Sequence, residues 1–202
     1  YTQERFNTKA ELLLDSLLIY FPGNLEILFA RANAQYSAQN WTNMLKTYQD
    51  IYEVDPHQNE IPKKIYEIGV ATGNIELVRK ILMELKSISQ SMLILELLID
   101  IADNSGEYSE AISLMYELME NNKSTDDQLI YLSQLHLRIK KFDVVVDILS
   151  PIYEKENHSL DVLRMLLIAY SSLGQIENKI NVSKTLLNEY SDIPMGYEAL
   201  SF

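Results

Sequence analysis

Apolar residues recur along this chain at the spacing of amphipathic helices. The stretches 95–102 and 163–170 each place apolar side chains at positions i, i+3, i+4 and i+7. The strict alternation of a half-buried strand is absent from the sequence. The pattern therefore predicts an all-α chain.

This helical pattern repeats about every 34 residues. An aromatic residue or isoleucine returns at Trp41, Ile75, Tyr108, Phe142 and Ile176. A small or apolar position, broken only at the last member, returns at Ala10, Met44, Val78, Ala111, Val145 and Lys179. A large aliphatic position returns at Leu17, Ile51, Leu85, Leu118, Ile152 and Leu186. Gly-containing turns precede several members of the first series, so each repeat is predicted to contain two helices.

A pair of short helices cannot bury its apolar faces alone, whereas stacked pairs bury a continuous core. The sequence therefore predicts one α-solenoid of stacked antiparallel helix pairs over residues 1–202. Residues 1–22 are expected to form the second helix of a truncated repeat, and 194–202 the start of a further one. The complete pairs are predicted at 25–58, 59–91, 92–125, 126–159 and 160–193. Because both ends fall within a repeat, we expect more chain beyond them or self-association through the open ends.

Composition narrows the classes of partner. The chain has 29 acidic and 17 basic residues, and its net charge of −12 disfavours nucleic acid and anionic membrane surfaces. No apolar run approaches the ~20 residues that span a bilayer, so direct membrane insertion is not expected. The chain contains no cysteine, which removes disulfides and thiol chemistry. The compartment stays open, with the cytoplasm favoured over the periplasm.

Few residues suggest catalysis. His57, His136 and His158 have no partners at metal-ligand spacing, and we interpret them as structural or solvated. The segment 103–107 superficially resembles a calcium loop but lacks the required glycine and glutamate spacing. The acidic stripe Glu96, Asp100 and Asp103 could hold a cation or act in acid–base chemistry, but a solvated helix face explains it better. We therefore predict no enzyme, no metal and no cofactor.

Several of the repeating residues resemble those of the tetratricopeptide repeat (TPR) family. The period, the step from Gly106 through Tyr108 to Ala111, the following Met115 and Leu118, and the helix-terminating Pro56 resemble this family over nearly the whole chain. The tryptophan and glycine common in the family's first helices are missing, and Pro62 fits only in a first helical turn. The resemblance implies divergent TPR units in a right-handed superhelix.

The resemblance also implies a concave groove, formed by the first helices, that binds a peptide or helix of a protein partner. The residues expected to face it are Phe29, Asn33, Tyr36, Lys63, Glu67, Glu96, Asp100, Asp103, Ile130, Gln134, Leu137, Arg164 and Ile168. The acidic middle of this set predicts a partner with apolar anchors and basic flanks. Ile130 and Leu137 either contact that partner or pack internally, on a neighbouring first helix or on chain beyond Phe202. The second interpretation is slightly favoured.

One subclass of the family, which clamps the carboxylate ends of chaperone tails, is disfavoured. Asn33 fits its pattern, but Phe29 stands where that pattern has lysine, and Leu93 and Leu97 stand where basic residues are needed. The sequence thus predicts a protein-interaction scaffold. The alternative is a recognition or dimerisation arm of a larger enzyme or regulator whose active domain lies elsewhere.

Overall fold

A computed structural model describes residues 2–120, 124–155 and 159–191, with side chains from residue 9 onward. These ranges contain eleven α-helices and no strand. The helices are α1 (Thr2–Tyr20), α2 (Leu25–Ser37), α3 (Trp41–Val54), α4 (Ile61–Thr72), α5 (Ile75–Ile88), α6 (Met92–Asn104), α7 (Tyr108–Glu120), α8 (Asp126–Arg138), α9 (Phe142–Tyr153), α10 (Leu160–Leu173) and α11 (Ile176–Glu189). The predicted all-α fold is confirmed. His158 and the predicted unit 194–202 lie outside the described residues.

The repeating aromatic or isoleucine position marks the start of a helix. Its five members are the first residues of α3, α5, α7, α9 and α11. The first helices α2, α6, α8 and α10 begin at Leu25, Met92, Asp126 and Leu160, the residues at which the pairs were expected to begin. Helix α4 begins at Ile61, two residues after the expected Asn59, and Pro62 lies in its first turn. A proline fits there because no intrahelical partner is needed for its missing N–H.

Glycine ends two of the first helices. Gly73 after α4 has φ of 72°, and Gly174 after α10 has φ of 69°. This left-handed conformation is strained for residues with a Cβ, and it lets the chain reverse within a few residues. The two turns therefore lead directly into α5 and α11.

The chain forms two compact units, Tyr1–Ile101 and Ala102–Phe202. In the first unit, α2 packs against α1 and α3, α3 against α4 and α5, and α4 against α5. Its core contains the fully buried Leu45, Ile51, Ile65 and Leu82. A buried polar pair joins α2 to α3, because the Thr47 hydroxyl donates to the Gln35 amide oxygen at 2.7 Å.

In the second unit, α8 packs against α7, α9 and α10, and α10 packs against α9 and α11. The core cluster is built mainly from α9, α10 and α11, with Val145, Leu163, Leu166 and Leu186 fully buried. The contact between α8 and α10 brings two successive first helices side by side. Their shared edge is where the candidate site lies.

Candidate partner-binding site

The residues predicted to face a partner all lie on first helices. In the first unit these are Phe29, Asn33 and Tyr36 on α2, Lys63 and Glu67 on α4, and Glu96 and Asp100 on α6. In the second unit these are Asp103 on α6, Ile130, Gln134 and Leu137 on α8, and Arg164 and Ile168 on α10. Phe29, Asp100, Asp103, Ile130, Leu137 and Arg164 are half-buried, and the remainder are exposed.

Three of the exposed positions of α2 and α4 already have neighbours of their own. Tyr36 meets the Trp41 ring edge-on, with 5.6 Å between ring centres. Lys63 forms an ion pair with Glu67 one turn later, at 3.8 Å. Exposed pairs of this kind contribute little stability, and they leave both charges available to solvent.

Two of the predicted acidic residues are held by tyrosines. In the first unit, the Tyr66 hydroxyl of α4 donates a hydrogen bond to Asp100. This bond and burial raise the pKa of Tyr66 to about 12. In the second unit, the Tyr131 hydroxyl of α8 donates to Asp103 at 2.8 Å. Sequence reasoning missed both tyrosines, so it overestimated how much of the acidic stripe is free to meet a basic partner.

Ile130 and Leu137 pack inward. Both are half-buried against the core cluster of the second unit. This packing explains why two surplus aliphatic residues occur on α8. Leu137 also reaches the surface between α8 and α10.

An open cavity of about 370 Å³ lies between α8 and α10. We call it the α8–α10 groove, and its lining residues are Gln134, Leu137, Arg138, Asp161, Arg164 and Met165. The sequence predicted Gln134, Leu137 and Arg164 but missed Arg138, Asp161 and Met165. Helical spacing could have found them, since Arg138 follows Gln134 by four residues, and Asp161 precedes Arg164 by three.

The groove combines apolar and charged side chains. Leu137 and the buried Met165 supply its apolar surface, and Gln134 is exposed beside them. The Nε atom of Arg164 is buried, and no group in the described parts of the chain accepts a hydrogen bond from it. Arg138 lies over the Tyr108 ring, with 6.0 Å from its guanidinium carbon to the ring centre.

Comparison with solved structures identifies the fold. A chain of the structure of Naa15/Naa10 bound to HypK-THB matches 97% of this chain with a TM-score of 0.69 at 12% identity, and this chain spans only 32% of its length. YrrB, described as a TPR protein with an unusual peptide-binding site, matches 94% of this chain over 98% of its own, with a TM-score of 0.62 at 10% identity. A tetratricopeptide repeat protein from Parabacteroides merdae matches 87% over 70%, with a TM-score of 0.59 at 14% identity.

The chain has the TPR fold. No protein-family model matches its sequence. No curated protein matches it either. The likeness to these solved structures is therefore one of fold, at 10% to 14% sequence identity.

The two described histidines of this TPR fold lie apart from any group suited to catalysis. His57 is exposed, and His136 is buried with its Nε2 atom 3.2 Å from the Tyr116 hydroxyl. Burial lowers the pKa of His136. Among the described residues, no three His, Asp or Glu side chains lie close enough together to hold a metal ion.

None of the helices in the described ranges combines the length and the apolar character needed to cross a membrane.

Two further surface features lie in the first unit. A wider recess of about 640 Å³ is lined by one helix alone, α5, through Glu76, Arg79, Lys80, Met83, Glu84 and Ser87. On α1, four apolar side chains, Leu12, Leu13, Ile19 and Tyr20, are between 61% and 78% exposed. Self-association through the ends of the chain stays a prediction.

Proposed function

We propose that this chain is a non-catalytic interaction scaffold that binds an extended segment of a protein partner in the α8–α10 groove. The observation that carries the proposal is the groove itself, where two successive first helices bring apolar, amide and charged side chains to one cavity. Such a combination suits peptide recognition, because the apolar surface supplies affinity and the polar groups fix register.

The exposure of the lining favours a chain segment over a small molecule. Gln134, Arg138 and Asp161 are exposed, so the cavity is open to solvent along its sides. A small ligand is normally surrounded over most of its surface, which this cavity does not provide. A peptide backbone lying along the groove could instead bond to the Gln134 amide, which both donates and accepts.

The chemistry of the described residues supports a non-catalytic role. The acidic side chains that best suited acid–base chemistry, Asp100 and Asp103, already accept hydrogen bonds from Tyr66 and Tyr131. A catalytic site needs a base, a nucleophile or an electrophilic group converging on one reacting atom. The α8–α10 groove offers two guanidinium groups, an amide and a carboxylate, a set suited to binding.

Peptide selection tests the proposal. A random-peptide phage library is selected against the folded chain, and binders are measured by fluorescence anisotropy on the wild type and on Gln134→Trp. The indole would fill the groove, and Gln134 is exposed, so folding should be retained. We expect binding at least about tenfold weaker, because the bound segment is displaced.

The matched control is Asn188→Trp, which adds the same indole at an exposed position on α11, away from the groove. It should leave binding unchanged. Peptides that bind Gln134→Trp as tightly as the wild type would refute the proposed site. Failure of repeated selections to yield any saturable binder would refute the proposed function.

A further inference from the structure

Arg164 has a buried guanidinium nitrogen that lacks a hydrogen-bond partner among the described residues. It lies on α10, is half-buried, and its Nε atom is out of contact with solvent and without a hydrogen-bond acceptor in the described parts of the chain. Asp161, one turn earlier on the same helix, lines the groove but forms no ion pair with it. A buried donor on a charged group is costly to leave unpaired. An acceptor that enters the groove and pairs with the Arg164 guanidinium would therefore be favoured.

A second guanidinium faces the same cavity from the other helix. Arg138 on α8 lies over the Tyr108 ring, which positions its stem without neutralising its charge. The lining therefore carries two cations and one carboxylate. This positive surface occurs in a chain whose net charge is −12, so it differs from the protein as a whole. Its electrostatics favour an anionic group.

The apolar residues of the groove restrict the kind of anion. The half-buried Leu137 would be left against solvent by an inorganic ion or a bare phosphate. A polyanion such as nucleic acid would be repelled by the acidic remainder of the chain. A peptide with a carboxylate next to an apolar side chain satisfies both the guanidinium and the apolar surface.

We infer that the anchor of the bound segment is the side-chain carboxylate of an aspartate or glutamate, held by Arg164, with an adjacent apolar residue against Leu137 and Met165. This inference rests on the proposed function and adds the chemistry of its ligand. It reverses the basic flanks expected from the sequence. The planar guanidinium can hold both carboxylate oxygens, which a lysine in its place could not do.

Asp161 limits the number of acidic residues that the bound segment can carry. It lies one helical turn before Arg164 and presents a like charge to any carboxylate in the groove. A single acidic anchor is tolerated, whereas a run of acidic residues is repelled. Asp161→Asn should therefore strengthen binding about two- to fivefold, and more for peptides with two neighbouring acidic residues.

A double-mutant cycle tests the pairing. The probe is a fluorescein-labelled peptide from the selection above, made with an amidated C-terminus, together with its counterpart in which the acidic residue is changed to the amide. On the wild type, we expect this change to weaken binding about tenfold. On Arg164→Gln, the two peptides should differ less than about twofold, because the partner of the carboxylate is gone.

A further variant, folding controls and a peptide with a free C-terminus distinguish the possible causes of weaker binding. Arg164→Lys should lose part of the affinity, since it keeps the charge but not the planar fork. Circular dichroism and urea unfolding show that each variant is folded. A free C-terminal acid that binds more tightly than the amide, with no effect of the internal acidic residue, would assign Arg164 to a chain terminus and overturn the inference.

The two proposals fail differently. If selected peptides lack acidic residues and bind Arg164→Gln normally, yet are lost on Gln134→Trp, the groove binds peptides and the carboxylate anchor is wrong. If the peptides are indifferent to both variants, the groove is not the binding site.

Discussion

Replacing Gly69 with alanine would place a methyl group inside the contact between α4 and α5. The added Cβ would lie 2.1 Å from the Val78 Cγ2 atom and 3.1 Å from its Cβ. Both residues are buried, and Val78 is fully enclosed, so neither helix can relieve the overlap by a side-chain rotation into solvent. The two backbones must move apart.

The magnitude follows from two opposing effects. Alanine in place of glycine favours a helix interior by about 1 kcal/mol. Overpacking a close helix contact costs about 1–3 kcal/mol, and an overlap this deep belongs at the upper end. We expect Gly69→Ala to lower the free energy of unfolding by about 2 kcal/mol, or the melting temperature by about 4–8 °C for a chain of this size. Urea unfolding followed by far-ultraviolet circular dichroism measures it.

Two control variants isolate the cause. Ala71→Gly, at an exposed position in the last turn of the same helix, measures the helix propensity alone and should cost at most about 1 kcal/mol. In Gly69→Ala with Val78→Ala, the new methyl occupies space vacated by Cγ2. The double variant should be less destabilised than the sum of the single ones by about 1 kcal/mol or more. A stabilising Gly69→Ala, or additive effects in the double variant, would refute the packing described for α4 and α5.

Three further predictions concern the polar groups buried between helices. The lowered pKa of His136 means that the folded state binds fewer protons than the unfolded state, so stability should fall as the pH drops below about 6.5. Urea unfolding at several pH values should show a weaker dependence in His136→Asn, and an unchanged dependence would contradict the assignment. The difference between the titrations of the wild type and Tyr66→Phe should reveal a phenol with a pKa of about 12, because the hydrogen bond to the Asp100 carboxylate opposes its ionisation. An ordinary pKa near 10 would show that the bond is absent. Thr47→Val should lower the free energy of unfolding by about 1–3 kcal/mol, because it leaves the Gln35 amide buried and unpaired. Adding Gln35→Leu should restore part of this stability. Equal stability of Thr47→Val and the wild type would argue against the pair.

The sequence was most informative about where helices begin. The aromatic or isoleucine position that starts each second helix repeats about every 34 residues, because successive units repeat the same pair of helices. Among the first helices, α4 begins at Ile61, two residues after its expected start at Asn59, since Pro62 is accepted only in a first turn. Local rules of this kind act over a few residues, and a single sequence is sufficient to apply them.

Which first-helix residues are free to bind a partner depends on contacts between repeats. Helical periodicity placed Asp100 and Asp103 on a face but could not show that Tyr66 and Tyr131, about one repeat away, would bond to them. The periodicity also did not show how deeply each residue is buried. Leu137, for example, packs against the core cluster and also lines the groove. Such contacts depend on the spacing of neighbouring helices, which a repeat period does not specify.

Photo-crosslinking with a selected peptide is the most direct test of the α8–α10 groove as the binding site. A peptide that carries a diazirine group beside its anchor residue is bound to the full chain and irradiated, and the modified residues are mapped by mass spectrometry. We expect crosslinks to α8 and α10, centred on Leu137 and Met165, that disappear in Gln134→Trp and persist in Asn188→Trp. Crosslinks confined to the α5 recess or to the exposed residues of α1 would contradict it.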